Sequence, residues 1–224
     1  MVTVSEVSMY NIGGVTMRLK LEPLTDLVCG HVYGFEILSY PVDSNVDVEK
    51  IFEHASPLEL WRVLDIQFSE LRAFAAVDFS HKMFFVNIDV RFFSIPGFSK
   101  IFLEKTEGIS ISLELSKPIK KDAIQGVNYN ELKRAGVEFW LDDYNGSTEN
   151  LDFNWDGIKL DKYFFWRYRD GDSSISDYCD FMRVIFGERL KLLSEGVESN
   201  SDLMKSLALK IPMGQGYKFN TIYL

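Results

Sequence analysis

Six oxygen-bearing side chains stand out because each follows a short apolar run: Asn87 after Phe84-Phe85-Val86, Glu114 after Ile111-Ser112-Leu113, Asp142 and Asp143 after Phe139-Trp140-Leu141, and Glu195 after Leu192-Leu193-Ser194, while Glu36 interrupts Phe35 to Leu38. Lys159 follows Ile158 in the same manner, and Gln215 lies in the last apolar run. A single carboxylate after a strand is ordinarily a helix cap or a solvated loop residue. A series of them at one structural place is harder to explain that way. Asp142 and Asp143 are adjacent, and two ionised carboxylates so close repel unless a cation pairs with them. With Glu36, Glu114 and Glu195 added, a cation becomes close to obligatory. The donors are carboxylates and one amide, with no His or Cys, so hard ions such as Mg²⁺ or Mn²⁺ fit better than zinc or copper. His31, His54 and His81 form no metal-spaced pair and read as surface or structural residues.

These residues need a scaffold that brings distant points of the chain together. Apolar runs occur at 16–21, 34–38, 82–86, 109–115, 137–141, 157–160, 190–193 and 213–219, with helical spacing between most of them. Residues 58–77 carry an amphipathic stripe, and Ser56-Pro57 before it supplies a cap and a proline at the first helical position. Residues 122–135, 174–186 and 200–209 read as further helices, with Gly136 and Gly187 as stop signals. Strands alternating with helices predict a mostly parallel sheet covered by helices. About eight strands without a domain boundary favour a closed (β/α)8-type barrel over 1–224, a TIM-like α/β fold. In such a barrel the carboxyl ends of all strands share one face, where the polar side chains above would converge. A doubly wound open sheet would call for a Gly-rich phosphate loop, and none is found.

Composition sets outer bounds. The 224 residues are 46% hydrophobic and 25% charged, an ordinary globular balance. Lys plus Arg is 24 and Asp plus Glu is 33, a net charge of −9. That surface argues against binding a nucleic acid polymer, but not against a small nucleotide held through cations. Cys29 and Cys179 are far apart, which fits a reducing compartment. No signal peptide and no bilayer-spanning run are read, so a cytoplasmic protein with no membrane partner is expected.

The motifs resemble those of the EAL domain family, phosphodiesterases of the bacterial messenger cyclic di-GMP. Gly34-Phe35-Glu36-Ile37-Leu38 resembles the Glu-Ala-Leu signature. Val86-Asn87-Ile88, Glu114-Leu115-Ser116, Leu141-Asp142-Asp143-Tyr144, Ile158-Lys159-Leu160-Asp161, Ser194-Glu195-Gly196-Val197-Glu198-Ser199 and Gly214-Gln215-Gly216-Tyr217 follow in the family's order. The resemblance implies a modified (β/α)8 barrel with one antiparallel strand near its start. It implies hydrolysis of cyclic di-GMP to linear pGpG by water activated at two metal ions, Mg²⁺ or Mn²⁺. One ion would be held by Glu36, Asn87, Glu114 and Asp142, and the other by Asp142, Asp143 and Glu195. Glu36, Lys159 and Glu195 would be catalytic, with Lys159 orienting the water, helping its deprotonation or offsetting charge. Leu38, Gln215 and Tyr217 would contact substrate, and a homodimer and a regulatory protein partner are further expectations.

Several positions depart from the pattern. Glu22-Pro23-Leu24 stands where the family often has Gln-Pro-Ile. Tyr40 replaces an arginine that usually meets substrate phosphate, which should weaken substrate binding. Lys117 replaces the second Glu of Glu-Leu-Thr-Glu, and Asn145 replaces a loop glycine after the Asp pair. The expected metal cage is thus complete while the substrate periphery is altered. Two other readings therefore stay open, a cyclic di-GMP receptor without turnover and a protein-interaction regulator. The aromatic residues of 162–169 are expected to pack a helix on the barrel, with a protein interface as the alternative.

Overall fold

The structure, a computed structural model, describes residues 9–43, 46–116, 126–147, 151, 153–187 and 189–224. Eight strands close a barrel: β2 (Val15–Asp26), β3 (Val32–Pro41), β4 (Met83–Asn87), β5 (Ser110–Leu115), β6 (Glu138–Tyr144), β7 (Gly157–Leu160), β8 (Lys191–Ser194) and β9 (Met213–Gly214). From β3 to β9 neighbours run parallel, and β2 pairs antiparallel with both β3 and β9. The expected barrel with its early antiparallel strand is therefore present. Two short strands absent from the sequence reading, β1 (Tyr10–Ile12) and β10 (Ile222–Tyr223), also pair with β2. The run expected as a strand over 213–219 is one at Met213–Gly214 alone, because Gly216 turns the chain away. A Cβ there would lie 2.5 Å from the Val197 carbonyl oxygen, and its φ is +152°. Only glycine lets the backbone pass so close while Gln215 stays in the barrel.

Helices α1 (Val48–His54), α2 (Pro57–Phe74), α3 (Phe98–Lys105), α4 (Val127–Arg134), α5 (Lys162–Arg169), α6 (Ser174–Phe186) and α7 (Asn200–Ala208) surround the strands. Ser56 and Glu59 form the capping box that starts α2, with Pro57 at the first helical position. The stripe predicted over 58–77 ends as α-helix at Phe74 and continues as a π-helical turn, Ala75–Phe79. Helix α4 lies inside the stretch predicted over 122–135; residues 122–125 are outside the described ones. Asp161 caps α5 by accepting from Tyr163 N at 3.0 Å and Phe164 N at 3.1 Å. Phe164 and Phe165 of α5 are buried against the barrel, while Tyr163 is exposed.

Strand alternation sorts side chains into two cores. Outward-facing residues such as Phe84, Val86, Leu113, Phe139 and Ile158 join the large cluster under the helices. Inward-facing Leu24, Phe85, Trp140, Leu193 and Met213 form a separate plug inside the barrel, with Phe85 and Trp140 edge to face at 5.0 Å. Gly157 makes room for that plug, since a Cβ there would sit 2.4 Å from the Trp140 ring. Below it, Lys191 Nζ donates to Glu138 Oε1 at 2.5 Å and to Tyr33 at 2.9 Å, and Trp140 Nε1 donates to Glu138 Oε2 at 3.0 Å. Two residues further along each strand from the plug, at the carboxyl ends of the parallel strands, stands the next inward layer, and it is polar.

Candidate active site

That polar layer contains every residue expected as a metal ligand or catalytic group. Glu36 comes from β3, Asn87 from β4, Glu114 from β5, Asp142 and Asp143 from β6, Lys159 from β7, Glu195 from just beyond β8 and Gln215 from just beyond β9. Lys159 Nζ is the hub, 2.9 Å from Glu36 Oε2, 3.0 Å from Asp142 Oδ1, 3.0 Å from Glu195 Oε1 and 3.1 Å from Glu114 Oε1. The oxygens of Glu36, Glu114 and Asp142 lie within 4.8 Å of one another, and so do those of Asp142, Asp143 and Glu195. Asp142 belongs to both groups.

Adjacent residues on a regular strand point to opposite faces, so Asp142 and Asp143 should not both face the centre. A register shift between β6 and β7 falls between Leu141 and Tyr144. Asp143 within it adopts φ +53°, the left-handed region that Asp tolerates better than most side chains. The irregularity turns the second carboxylate toward the first. Such a conformation costs of order 1–3 kcal/mol, which surrounding structure must offset. The Asp-Asp pair signalled the site in sequence, but the bulge that makes it work did not.

The carboxylates differ in what satisfies them. Glu36 accepts from Lys159 at 2.9 Å, from Gln215 Nε2 at 2.7 Å and from Asn87 Nδ2 at 2.9 Å. Burial alone would raise its pKa, but the lysine charge and the amide donors outweigh burial and hold it low. Glu114 is fully buried, and neither oxygen has a hydrogen bond of good geometry despite the nearby ammonium. Burial and the Glu36 charge push its pKa well up. Asp142 is raised by burial and by Glu36, against the pull of Lys159. Asp143 still reaches solvent, but partial desolvation and the Asp142 charge lift it to about 7, and burial with Asp142, Glu36 and Asp143 lifts Glu195 to about 8 against Lys159. Lys159 is buried too, but Asp142, Glu114, Glu36 and Glu195 drive its pKa well above the ordinary value. One ammonium among five carboxylates leaves a deficit of positive charge. Glu114 and Asp142 Oδ1 have no well-formed hydrogen bond and only the shared Lys159 ammonium beside them, so a further cation would satisfy them.

The expected substrate contacts lie around the rim. Leu38 is half-buried on the same face of β3 as Glu36. Gln215 is buried and bridges Glu36 and Glu22, donating to Glu22 Oε2 at 3.2 Å. Tyr217 is 89% exposed beside a cavity of about 180 Å³ that Glu22, Glu195, Gly196 and Gln215 help to line. Two neighbours went unmarked in the sequence: Lys20, ion-paired with Glu22 at 2.5 Å, and Arg18. Their signal was the alternation Met17-Arg18-Leu19-Lys20-Leu21-Glu22, which gives β2 one polar face. Lys117 lies outside the described residues.

The EAL domain model matches residues 11–221. The chain belongs to the EAL domain family. Comparison with proteins of curated function finds no match. Among solved EAL structures, the EAL enzyme Bd1971 in its cGMP-bound form is 20% identical with a TM-score of 0.72, covering 92% of this chain and 62% of that one. The PaMucR phosphodiesterase in complex with c-di-GMP is 18% identical with a TM-score of 0.69, covering 92% of each chain. Klebsiella pneumoniae BlrP1 with manganese and c-di-GMP is 16% identical with a TM-score of 0.72, covering 97% of this chain and 60% of that one. The chain thus spans about three fifths of the first and third of these proteins. No helix among the described residues is long and apolar enough to cross a membrane.

Proposed function

We propose that this EAL domain is a cyclic di-GMP phosphodiesterase, hydrolysing one phosphodiester of the ring to linear pGpG with two divalent ions. The observation that carries the reading is Asp142, shared by two groups of carboxylates whose oxygens lie within 4.8 Å of one another. Glu36, Asn87, Glu114 and Asp142 would hold one ion, and Asp142, Asp143 and Glu195 the other. An all-oxygen donor set favours Mg²⁺ or Mn²⁺. Ions so held would supply Lewis acidity toward the phosphoryl oxygens and lower the pKa of a bound water. The PaMucR complex with c-di-GMP and the BlrP1 complex with manganese and c-di-GMP support this choice of substrate and cofactor.

The chain's own groups complete the site. Water bonds to phosphorus, the bond to one ribose oxygen breaks, and that oxygen takes up a proton. Lys159 keeps its proton, because four carboxylates surround Nζ, so it acts as a fixed charge that orients water and offsets charge building on the phosphate. Glu195, at the open edge of the cluster, takes the water's proton. Asn87 and Gln215 hold the Glu36 carboxylate in place. Leu38 and Tyr217 border the substrate, and the exposed Tyr217 ring offers a base a stacking surface. The reading takes residues 1–224 as one domain acting in the cytoplasm, with self-association or a protein partner as its regulator.

Incubating the purified chain with cyclic di-GMP and Mn²⁺, then resolving products by chromatography, tests this. Linear pGpG is expected, and Asp142→Asn should abolish it. A folded sample that yields no product at generous enzyme and Mn²⁺ refutes catalysis. Binding in Ca²⁺ without product in Mn²⁺ would instead support a receptor, and no binding at all the protein-interaction regulator that Tyr40 keeps open.

A further inference from the structure

The site described so far is acidic, yet its proposed ligand is an anion with two phosphodiesters. Lys159 is consumed by the carboxylates around it. Positive charge for the second phosphodiester must come from further out. Strand β2 provides it. In the β2–β3 ladder Glu22 lies opposite Glu36, Lys20 opposite Leu38 and Arg18 opposite Tyr40. Directly opposed residues share a face, so Lys20 and Arg18 continue the inward face of β2 toward the barrel mouth. Arg18 stands about 14 Å along the strand from Glu22, at the usual rise per residue.

Arg18 is also uncommitted. Its Nε is buried and has no hydrogen-bond partner among the described residues. No ion pair joins it to a described residue, whereas Arg91, Arg167, Arg169 and Arg183 each pair with an aspartate. The nearest carboxylate on its face, Glu22, is taken by Lys20 at 2.5 Å. Beside it the Tyr40 ring meets the Tyr223 ring edge-on at 5.5 Å, and Tyr223 pairs with Lys20 from the other side of β2. The two rings, from the strands on either side of β2, thus meet beside the guanidinium. A guanidinium with free donors at a partly desolvated rim is suited to a phosphate.

We propose that Arg18 binds the phosphodiester of the cyclic dinucleotide that is not cut, with Lys20 adding charge. This rests on the phosphodiesterase reading and assigns a substrate-binding residue within it. Arg18→Ala should raise KM about tenfold and leave kcat within about twofold, since the contact is made equally in ground and transition states. Titration calorimetry with cyclic di-GMP and Ca²⁺ should show the same tenfold loss of affinity, and a shallower decline with added KCl than the unaltered chain. Arg18→Lys should recover part of the loss. Arg72→Ala, an exposed arginine on α2, controls for net charge and should change nothing. Thermal melts confirm that each variant folds. If the unaltered chain binds and Arg18→Ala binds equally well, the assignment is wrong. If the unaltered chain neither binds nor cleaves cyclic di-GMP, the phosphodiesterase reading falls and the assignment falls with it.

Discussion

Lys159 is the residue on which the cluster turns. Removing a buried charge partner leaves its counter-charges uncompensated, a loss of about 3–5 kcal/mol. Lys159→Met should therefore destabilise the metal-free protein by about that amount in urea titration, and Mn²⁺ should restore part of it. Asp143 behaves oppositely. Its carboxylate, solvent-exposed on one side, is lifted to about 7 by partial desolvation and by Asp142, so charging it opposes folding modestly. Asp143→Asn keeps a residue tolerant of left-handed backbone and removes the repulsion. The metal-free variant should melt higher than the parent at pH 8, while its Mn²⁺ affinity falls, both read by thermal shift with and without the ion. The pH dependence follows the same sign. Asp143 and Glu195, raised to about 7 and 8, contribute stability that is full below the ordinary carboxylate pKa and lost as pH rises through those values. In chelator the melting temperature should be higher at pH 6 than at pH 9. Saturating Mn²⁺, which favours the ionised forms, should flatten that difference.

Among the elements, β7 shows how tightly the plug constrains the site above it. Gly157→Ala would put a methyl group 2.4 Å from the Trp140 ring, which is itself held by Glu138. Overpacking of this kind typically costs about 1–3 kcal/mol. The variant should melt lower and, because Lys159 is two residues along the same strand, lose Mn²⁺ affinity as well. Most parallel strands were readable in sequence because each holds a short apolar run that leads into a polar residue. Where the reading faltered, local pattern and tertiary demand diverge. Ile222–Tyr223 is too short to announce a strand, and forms β10 because β2 offers a free edge. Residues 98–105 carry no helix signal of their own, since aromatic side chains favour strands as readily as helices, and in 162–169 the aromatics point to the helix layer without giving its bounds. In α5 the aspartate cap and the burial of Phe164 and Phe165 decide the matter.

For the whole molecule, closure depends on β9, a two-residue strand that joins β8 to β2. A chain truncated before Ile211 would leave two open edges and the Trp140 plug exposed. It should fail to fold cooperatively, seen as loss of a single sigmoidal melt by circular dichroism, and should aggregate. The convergence of Glu36, Asn87, Glu114, Asp142, Lys159 and Glu195 was readable because a parallel barrel puts all its carboxyl ends on one side. The cross-links among them were not, since hydrogen bonds between residues more than a hundred positions apart, such as Lys159 to Glu36, leave no trace in local spacing.

The ammonium at the middle of those cross-links has a further meaning. A ring of acids with an internal counterion is a vessel already closed by its own stopper. Newly made protein does not need to find magnesium or manganese before it can collapse. On the phosphodiesterase reading, loading would then be an exchange, in which each arriving ion competes with a tethered charge that cannot diffuse away. Starvation for metal should accordingly return the protein to a latent, still folded form that is ready for recharging.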